Sequence, residues 1–389
     1  MSPRRQLTVL LTALEPSGDA IGADVMAALR AQRPDVRFIG CGGQKMAAAG
    51  LTSLFPISDF SVMGLTDVAR IFLKAFEGAR DIAHLAHDEE PDAAVLIDSW
   101  GFSRLVATRL KALSPETKRI KLAAPQVWAT RPERKHFVAR NFDGVLCLLP
   151  FEPEIFEKAG ARAAFIGNPN FAAAAAARPD ARAFRARHGL GAAPVLSVLL
   201  GSREGEVKRL APTFGKTVER IATRVPGLKV VAPLAPAVAK KARHEVKYWP
   251  VPVLTIEPEE KFDAFAYSTA ALVASGTVTT ELAIHGVPMV AAYKVDRLTE
   301  FWLRRSIICD YASIVNIAAD AEIIPERLQE NCTPEKLEET LYPLLTDKAA
   351  RAAQLDAARP VVERLLARAG GVHAPGPAAA AKILEWTGV

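Results

Sequence analysis

The sequence predicts an α/β protein built from two Rossmann-like, doubly wound domains in series, facing a central cleft. Three observations predict it. Short, continuously apolar runs alternate with amphipathic helical stretches, the rhythm expected of parallel strands buried on both faces. That rhythm stops near residue 168 and restarts near residue 194. The length, 389 residues, suits two domains of ordinary size.

The first run, Leu7–Leu14, follows Arg4 and Arg5 as a signal peptide's apolar region would. It leads into Glu15-Pro16-Ser17-Gly18-Asp19 rather than a small-residue cleavage site, so it reads as the first core strand. A helix over Ala20–Gln32 follows, then strands over Val36–Gly40, Ala93–Ile97, Ile120–Ala123, Gly144–Leu149 and Ala163–Ile166, with a helix over Arg104–Leu113. In the second half, strands are expected over Val195–Leu200, Lys229–Ala232, Val253–Ile256, Ala270–Val273 and Met289–Ala292. Helices are expected over Lys208–Arg224, Thr279–His285 and Pro334–Leu345. The domains read as 1–170 and 194–358. Residues 171–193, with the alanine run Ala172–Ala177, read as a hinge segment, helical or flexible. Residues 359–389 read as a C-terminal helix that packs back on the first domain or is exchanged between subunits.

Composition narrows the function classes. Half the residues are hydrophobic and 24% are charged, ordinary for a globular protein. Cys41, Cys147, Cys309 and Cys332 are scattered without a C-x-x-C pair, which argues against a zinc site or disulfide framework and fits a reducing cytosol. No stretch approaches the ~20 apolar residues of a membrane-spanning helix. The net charge of +6 favours anionic partners. Basic residues cluster at Arg131, Arg134, Lys135 and Arg140, and at Arg297, Arg304 and Arg305, either as anion contacts or as solvated helix faces. No nucleic-acid-binding motif is present.

Five motifs follow strands, where ligands of such sheets bind. In Glu15–Asp19, Ser17 or Asp19 caps the next helix, and free N–H groups there suit a phosphate; a plain capped turn is the alternative. Asp98, which ends Ala93–Ile97, is either a general base for a hydroxyl or a helix cap. Trp128 offers a platform for a sugar face or fills the core, and Arg131 suits a phosphate. Gly201-Ser202-Arg203 lets backbone approach a diphosphate, which Arg203 neutralises. Ser275, Gly276 and Thr277 open a helix suited to phosphate, with Glu281 one turn on, ready to grip ribose hydroxyls. No Asp-x-Asp pair occurs and the histidines are dispersed, so no metal or other cofactor is expected. Leu65, Val68, Phe72 and Phe76 fall roughly at helical spacing, with Phe60, Met63 and Leu73 beside them. They read as acyl-chain or bilayer contacts, with a core helix as the alternative.

Taken in order, Glu15–Asp19, Val62-Met63-Gly64, Ile97-Asp98, Pro125–Trp128, Leu149–Glu152, Gly167–Pro169, Gly201–Arg203, Ala274–Glu281, Pro288–Lys294, and Asp310–Ser313 with Asn316 resemble the lipid-A-disaccharide synthases over nearly the whole chain. The resemblance implies a glycosyltransferase-B fold and a metal-independent inverting transfer. The donor would be UDP-2,3-diacylglucosamine, the acceptor 2,3-diacylglucosamine 1-phosphate, and the product the β-1,6-linked disaccharide 1-phosphate. It also implies a peripheral position on the cytoplasmic face of a Gram-negative inner membrane; a homodimer is left open. By the same resemblance, Asp98 is the base, and Arg203, Ser275, Gly276, Thr277, Glu281 and Asn316 bind the nucleotide sugar. Glu15, Ser17, Gly18, Asp19, Trp128 and Arg131 are the acceptor or phosphate candidates. Leu14, Ser99–Ser103, Asn168 and Leu200 depart from the family pattern, chiefly on the acceptor side. A UDP-N-acetylglucosamine 2-epimerase-like enzyme and a non-catalytic UDP-sugar or lipid-binding paralogue are the rival readings.

Overall fold

The computed structural model describes residues 6–60, 67–296, 300, 305–367 and 374–388, and divides into two units: Met1–Pro169 with Ala367–Val389, and Asn170–Leu366.

The first unit holds strands β1 (Thr8–Thr12), β2 (Arg37–Cys41), β3 (Ala93–Ile97), β4 (Lys118–Leu122), β5 (Gly144–Cys147) and β6 (Ala163–Phe165). All pair in parallel, in the order β2-β1-β3-β4-β5-β6. Its helices are α1 (Pro16–Gln32), α2 (Gln44–Ala48), α3 (Asp67–Glu89), α4 (Trp100–Leu113), α5 (Arg134–Asn141) and α6 (Glu152–Glu157). Successive strand side chains serve opposite faces. Val9, Leu11, Val95 and Ile97 join one core, while Leu10, Ala94 and Leu96 join the other. This explains why the runs are apolar without interruption.

The second unit carries α7 (Pro169–Ala176, which straddles the division), α8 (Ala181–Arg187), β7 (Val195–Leu199), α9 (Glu204–Arg224), β8 (Lys229–Pro233), α10 (Ala239–Val246), β9 (Val253–Ile256), α11 (Lys261–Tyr267) and β10 (Ala270–Ala274). Then come α12 (Val278–Ile284), β11 (Met289–Tyr293), α13 (Ile314–Ala319), β12 (Glu326–Leu328), α14 (Pro334–Thr346) and α15 (Lys348–Leu365). Its sheet runs β12-β11-β10-β7-β8-β9, again all parallel. Residues 171–193 group with this unit. Arg187 of α8 pairs with Glu260 at 2.7 Å, and the Asp180 amide donates to Asp263 at 2.7 Å.

The last helix, α16 (Pro375–Thr387), returns to the first unit and packs on α1, giving Ala379, Ile383 and Trp386 to its core. Trp386 lies so close over Gly144 that a Cβ there would come within 2.2 Å of the ring. Arg162 secures the helix by stacking on Trp386 and pairing with Glu385 at 2.8 Å.

Both sheets reverse their winding once. In the first the reversal falls between β1 and β3, in the second between β7 and β10. The carboxyl ends of those strand pairs are where a doubly wound sheet leaves a ligand crevice.

Candidate functional site

At the β1/β3 reversal, the turn at 15–19 meets Asp98. Ser17 donates to the Asp98 carboxylate at 3.3 Å, and Gly18 is buried against Ile97 and Asp98. Asp98 and Ser99 both adopt left-handed backbone, with φ of +49° and +33°. That conformation costs a non-glycine residue free energy, and it clusters at functional positions. Here it is held from below. Lys121, on β4, is fully buried, and its ammonium donates to the carbonyls of Asp98 (2.6 Å), Leu122 (2.9 Å) and Leu96 (3.1 Å). Ser103 adds a hydroxyl bond to the same Asp98 carbonyl at 2.8 Å. Burial pulls the Lys121 pKa down to about 7, against the upward pull of Asp98 and Glu15. Nothing in the sequence signals this role, because Lys121 is one of three cations in the five residues of β4.

Two expectations at the turn change. Helix α1 begins at Pro16, and no side chain caps it. Asp19 instead reaches across to the segment after β2 and accepts from the amides of Gly43 (2.8 Å), Lys45 (2.9 Å) and Met46 (3.0 Å). It therefore caps α2 rather than its own helix, and its buried carboxylate is occupied by those three amides. Ser17 is exposed, and so is Glu15 at the N-cap position.

Trp128 is also anchored. Its indole N–H donates to Glu152 at 3.0 Å, and its ring meets Phe151 edge-on. Glu152 further accepts from the amides of Leu148 and Leu149, and burial still pushes its carboxyl up to about 7. Arg131, exposed at φ +52°, lines a separate hollow with Trp100 and α5.

At the β7/β10 reversal lies a cavity of about 550 Å³. Arg203, Ser275, Gly276, Thr277 and Glu281 all line it, so the structure brings together five of the six residues assigned to the nucleotide sugar. Gly201 has φ +98°, and a Cβ there would come within 2.3 Å of Glu206. Glu206 was missed by sequence reasoning. It folds back to accept from the amides of Ser202 (2.9 Å) and Arg203 (3.2 Å), fixing the turn from which the largely exposed Arg203 side chain projects. Buried Ser275 Oγ has no protein partner among the described residues, which leaves a hydroxyl ready for a ligand. Glu281 is buried and paired with Lys261 at 2.8 Å, a second cavity-lining residue that sequence reasoning missed.

Asn316, the sixth, is bonded within its own loop. Its amide donates to the Ile324 carbonyl (2.8 Å) and to Glu326 (2.9 Å). Its oxygen accepts from the amides of Ile323 (2.9 Å) and Ile324 (2.8 Å). A side-chain amide has two donors and two acceptor sites. All are used, the residue is fully buried, and it locks the loop before β12.

On α3, Ala79, Ile82, Ala83 and Ala86 face the core, whereas Phe72, Leu73 and Phe76 are 62%, 63% and 50% exposed. Arg109 stacks 4.1 Å over Phe76. Phe60 does not share that surface, since it packs with Phe55 and Phe102 in an aromatic cluster. Met63 and Leu65 lie outside the described residues, as does the side chain of Val68. Among the described residues no helix is long and apolar enough to cross a membrane, and no group of side chains has the make-up of a metal site.

Residues 9–370 match the family model described as lipid-A-disaccharide synthetase. A lipid-A-disaccharide synthase of Paramagnetospirillum magneticum is 42% identical over 98% of this chain and 97% of its own length. That of Ruegeria pomeroyi is 40% identical over 98% and 96%. Among solved structures, the glycosyltransferase of kitacinnamycin matches with TM-score 0.60 at 17% identity, covering 99% of this chain and 100% of its own. The UDP complex of Staphylococcus aureus MnaA matches with TM-score 0.60 at 12% identity, covering 91% and 92%. At such identities these two speak for the fold alone.

Proposed function

The chain belongs to the lipid-A-disaccharide synthase family and is a glycosyltransferase of lipid A disaccharide synthesis, and on that premise we propose how its residues divide the reaction. The second unit's cavity binds UDP-2,3-diacylglucosamine. Arg203, the Ser275 hydroxyl and the backbone at 275–277 hold the diphosphate, and Glu281, steadied by Lys261, takes the ribose. In the first unit, Asp98 removes the proton from the 6-hydroxyl of 2,3-diacylglucosamine 1-phosphate. The oxygen attacks the donor's anomeric carbon, the bond from that carbon to the UDP oxygen breaks, and configuration inverts. Arg203 offsets the charge that grows on departing UDP.

The observation that carries this reading is the pairing of Ser17 with Asp98, an acid in left-handed backbone at the β1/β3 reversal. A helix cap alone does not explain it, because no side chain caps α4. The exposed Phe72, Leu73 and Phe76 support docking on a lipid surface, where acylated substrates reside. The epimerase reading is supported only by fold-level likeness, since the solved UDP-N-acetylglucosamine 2-epimerases it resembles are 14–15% identical to this chain. The test is incubation of the purified protein with both acylated substrates, followed by mass spectrometry. A disaccharide 1-phosphate together with UDP is expected. An epimerised sugar formed without acceptor would refute the reading.

A further inference from the structure

Beside the first unit's strand ends, Trp100 and Gly101 at the start of α4, Arg131 after β4, and α5 enclose a hollow of about 790 Å³. Four arginines line it, Arg104, Arg131, Arg134 and Arg140, against one carboxylate, Glu133. Arg134 is half-buried and the other three are exposed, and among the described residues none of the four guanidinium groups forms an ion pair, whereas the buried Arg33 and Arg119 each pair with an aspartate. Arg134 lies 5.4 Å over the Trp100 ring, which in turn meets Phe137 edge-on. Burial first, then the neighbouring Arg131 and Arg104 charges, hold the Arg134 guanidinium below its ordinary pKa, against the pull of Glu133. Arg131 keeps its place at the cost of a left-handed backbone. Like charges gathered on an aromatic floor without counter-ions repel one another unless an anion joins them.

We propose that this hollow binds a sugar phosphomonoester, namely the anomeric phosphate of the acceptor, with the Trp100–Phe137 pair under the sugar. The inference rests on the reading of function given above and names the subsite that reading lacks. Trp100, which lines the hollow, opens α4 two residues after Asp98, so hollow and acid share the loop that follows β3. Its volume suits a sugar phosphate rather than a bare ion. Guanidinium groups match phosphate oxygens in pairs, and each such contact is worth a substantial factor in affinity.

The test is steady-state kinetics of R104Q/R140Q and of R134Q in detergent micelles. Each is assayed with the phosphorylated acceptor and with the same diacylglucosamine lacking its phosphate. We expect KM for the phosphorylated acceptor to rise about 10–100-fold, with little change in kcat, in the donor's KM, or in kcat/KM for the phosphate-free acceptor. K240Q/K241Q removes equal charge from α10, outside the site, and serves as the control, leaving the preference between acceptors intact. Equal losses on both acceptors, or an equal shift in the control, would overturn the subsite. A headgroup site would appear instead as weaker binding of R104Q/R140Q to phosphatidylglycerol vesicles with no change in micellar KM, and that too would overturn it. Failure of the unaltered protein to form disaccharide would overturn the underlying reading; turnover without altered acceptor preference would overturn only the subsite.

Discussion

Replacing Lys121 with methionine separates its electrostatic cost from its role under Asp98. Its folded pKa of about 7 lies below the ordinary 10.5. The unfolded chain therefore binds more protons between those values, and stability rises with pH across that window. Integrating the linkage gives a rise of about 2 kcal/mol from pH 7 to 9 for this group. Glu152, held up to about 7 from 4.5, loses stability mainly below that window, and the Cys41 and Cys147 thiols, pushed above 9.0 by burial, lose it mainly beyond pH 9, so they overlap only its edges. The informative quantity is thus the difference between the two proteins. Urea unfolding at pH 7, 8 and 9 should show the K121M stability falling behind by about 2 kcal/mol on going from pH 7 to 9. Turnover should drop as well, because the Asp98 carbonyl loses its 2.6 Å contact with the Lys121 amino group while the substrate-binding groups are untouched. Parallel stability curves would show that Lys121 does not deprotonate on folding, and unchanged kcat would remove it as a support for Asp98.

Three further outcomes are expected. Asp98→Asn keeps a side chain that tolerates φ +49° and can still accept from Ser17. It should therefore fold normally and lose about 10²–10⁴ in kcat, and near-normal turnover would eliminate Asp98 as the base. Asn316→Ala strips the loop before β12 of four hydrogen bonds and should cost roughly 2–5 kcal/mol of stability; lost UDP affinity at unchanged stability, by calorimetry, would restore it as a ligand. L73S/F76S should weaken liposome flotation without lowering the melting temperature, since both side chains are exposed; intact flotation refutes lipid docking through α3.

Much of the fold was written in the pattern of apolar runs. Eleven of the twelve strands are legible within a few residues, because burial on both faces keeps most of their positions apolar even where a cation interrupts, as in β4. The twelfth, β12, is an edge strand of Glu326, Arg327 and Leu328, with a single apolar residue to announce it. Local backbone is legible where its chemistry is demanding, as at Gly201 and at the turn beside Asp98. The partner of a polar side chain is not, where two compete for it. Asp19 serves a helix 25 residues away rather than its own, and Asn316 serves a loop whose path depends on the strand after it. Lys121 and Lys261 stayed hidden because a lysine carries no sign of whether it meets water, a carbonyl or an acid.

The return of α16 to the first unit has a consequence during synthesis. The first sheet is complete in sequence by Phe165, yet one of its faces lacks Ala379, Ile383 and Trp386 until the ribosome has made the whole second unit. At about 5–20 residues per second, that wait is on the order of 10–40 s. For that interval the core face along α1 lacks the side chains that close it in the finished protein.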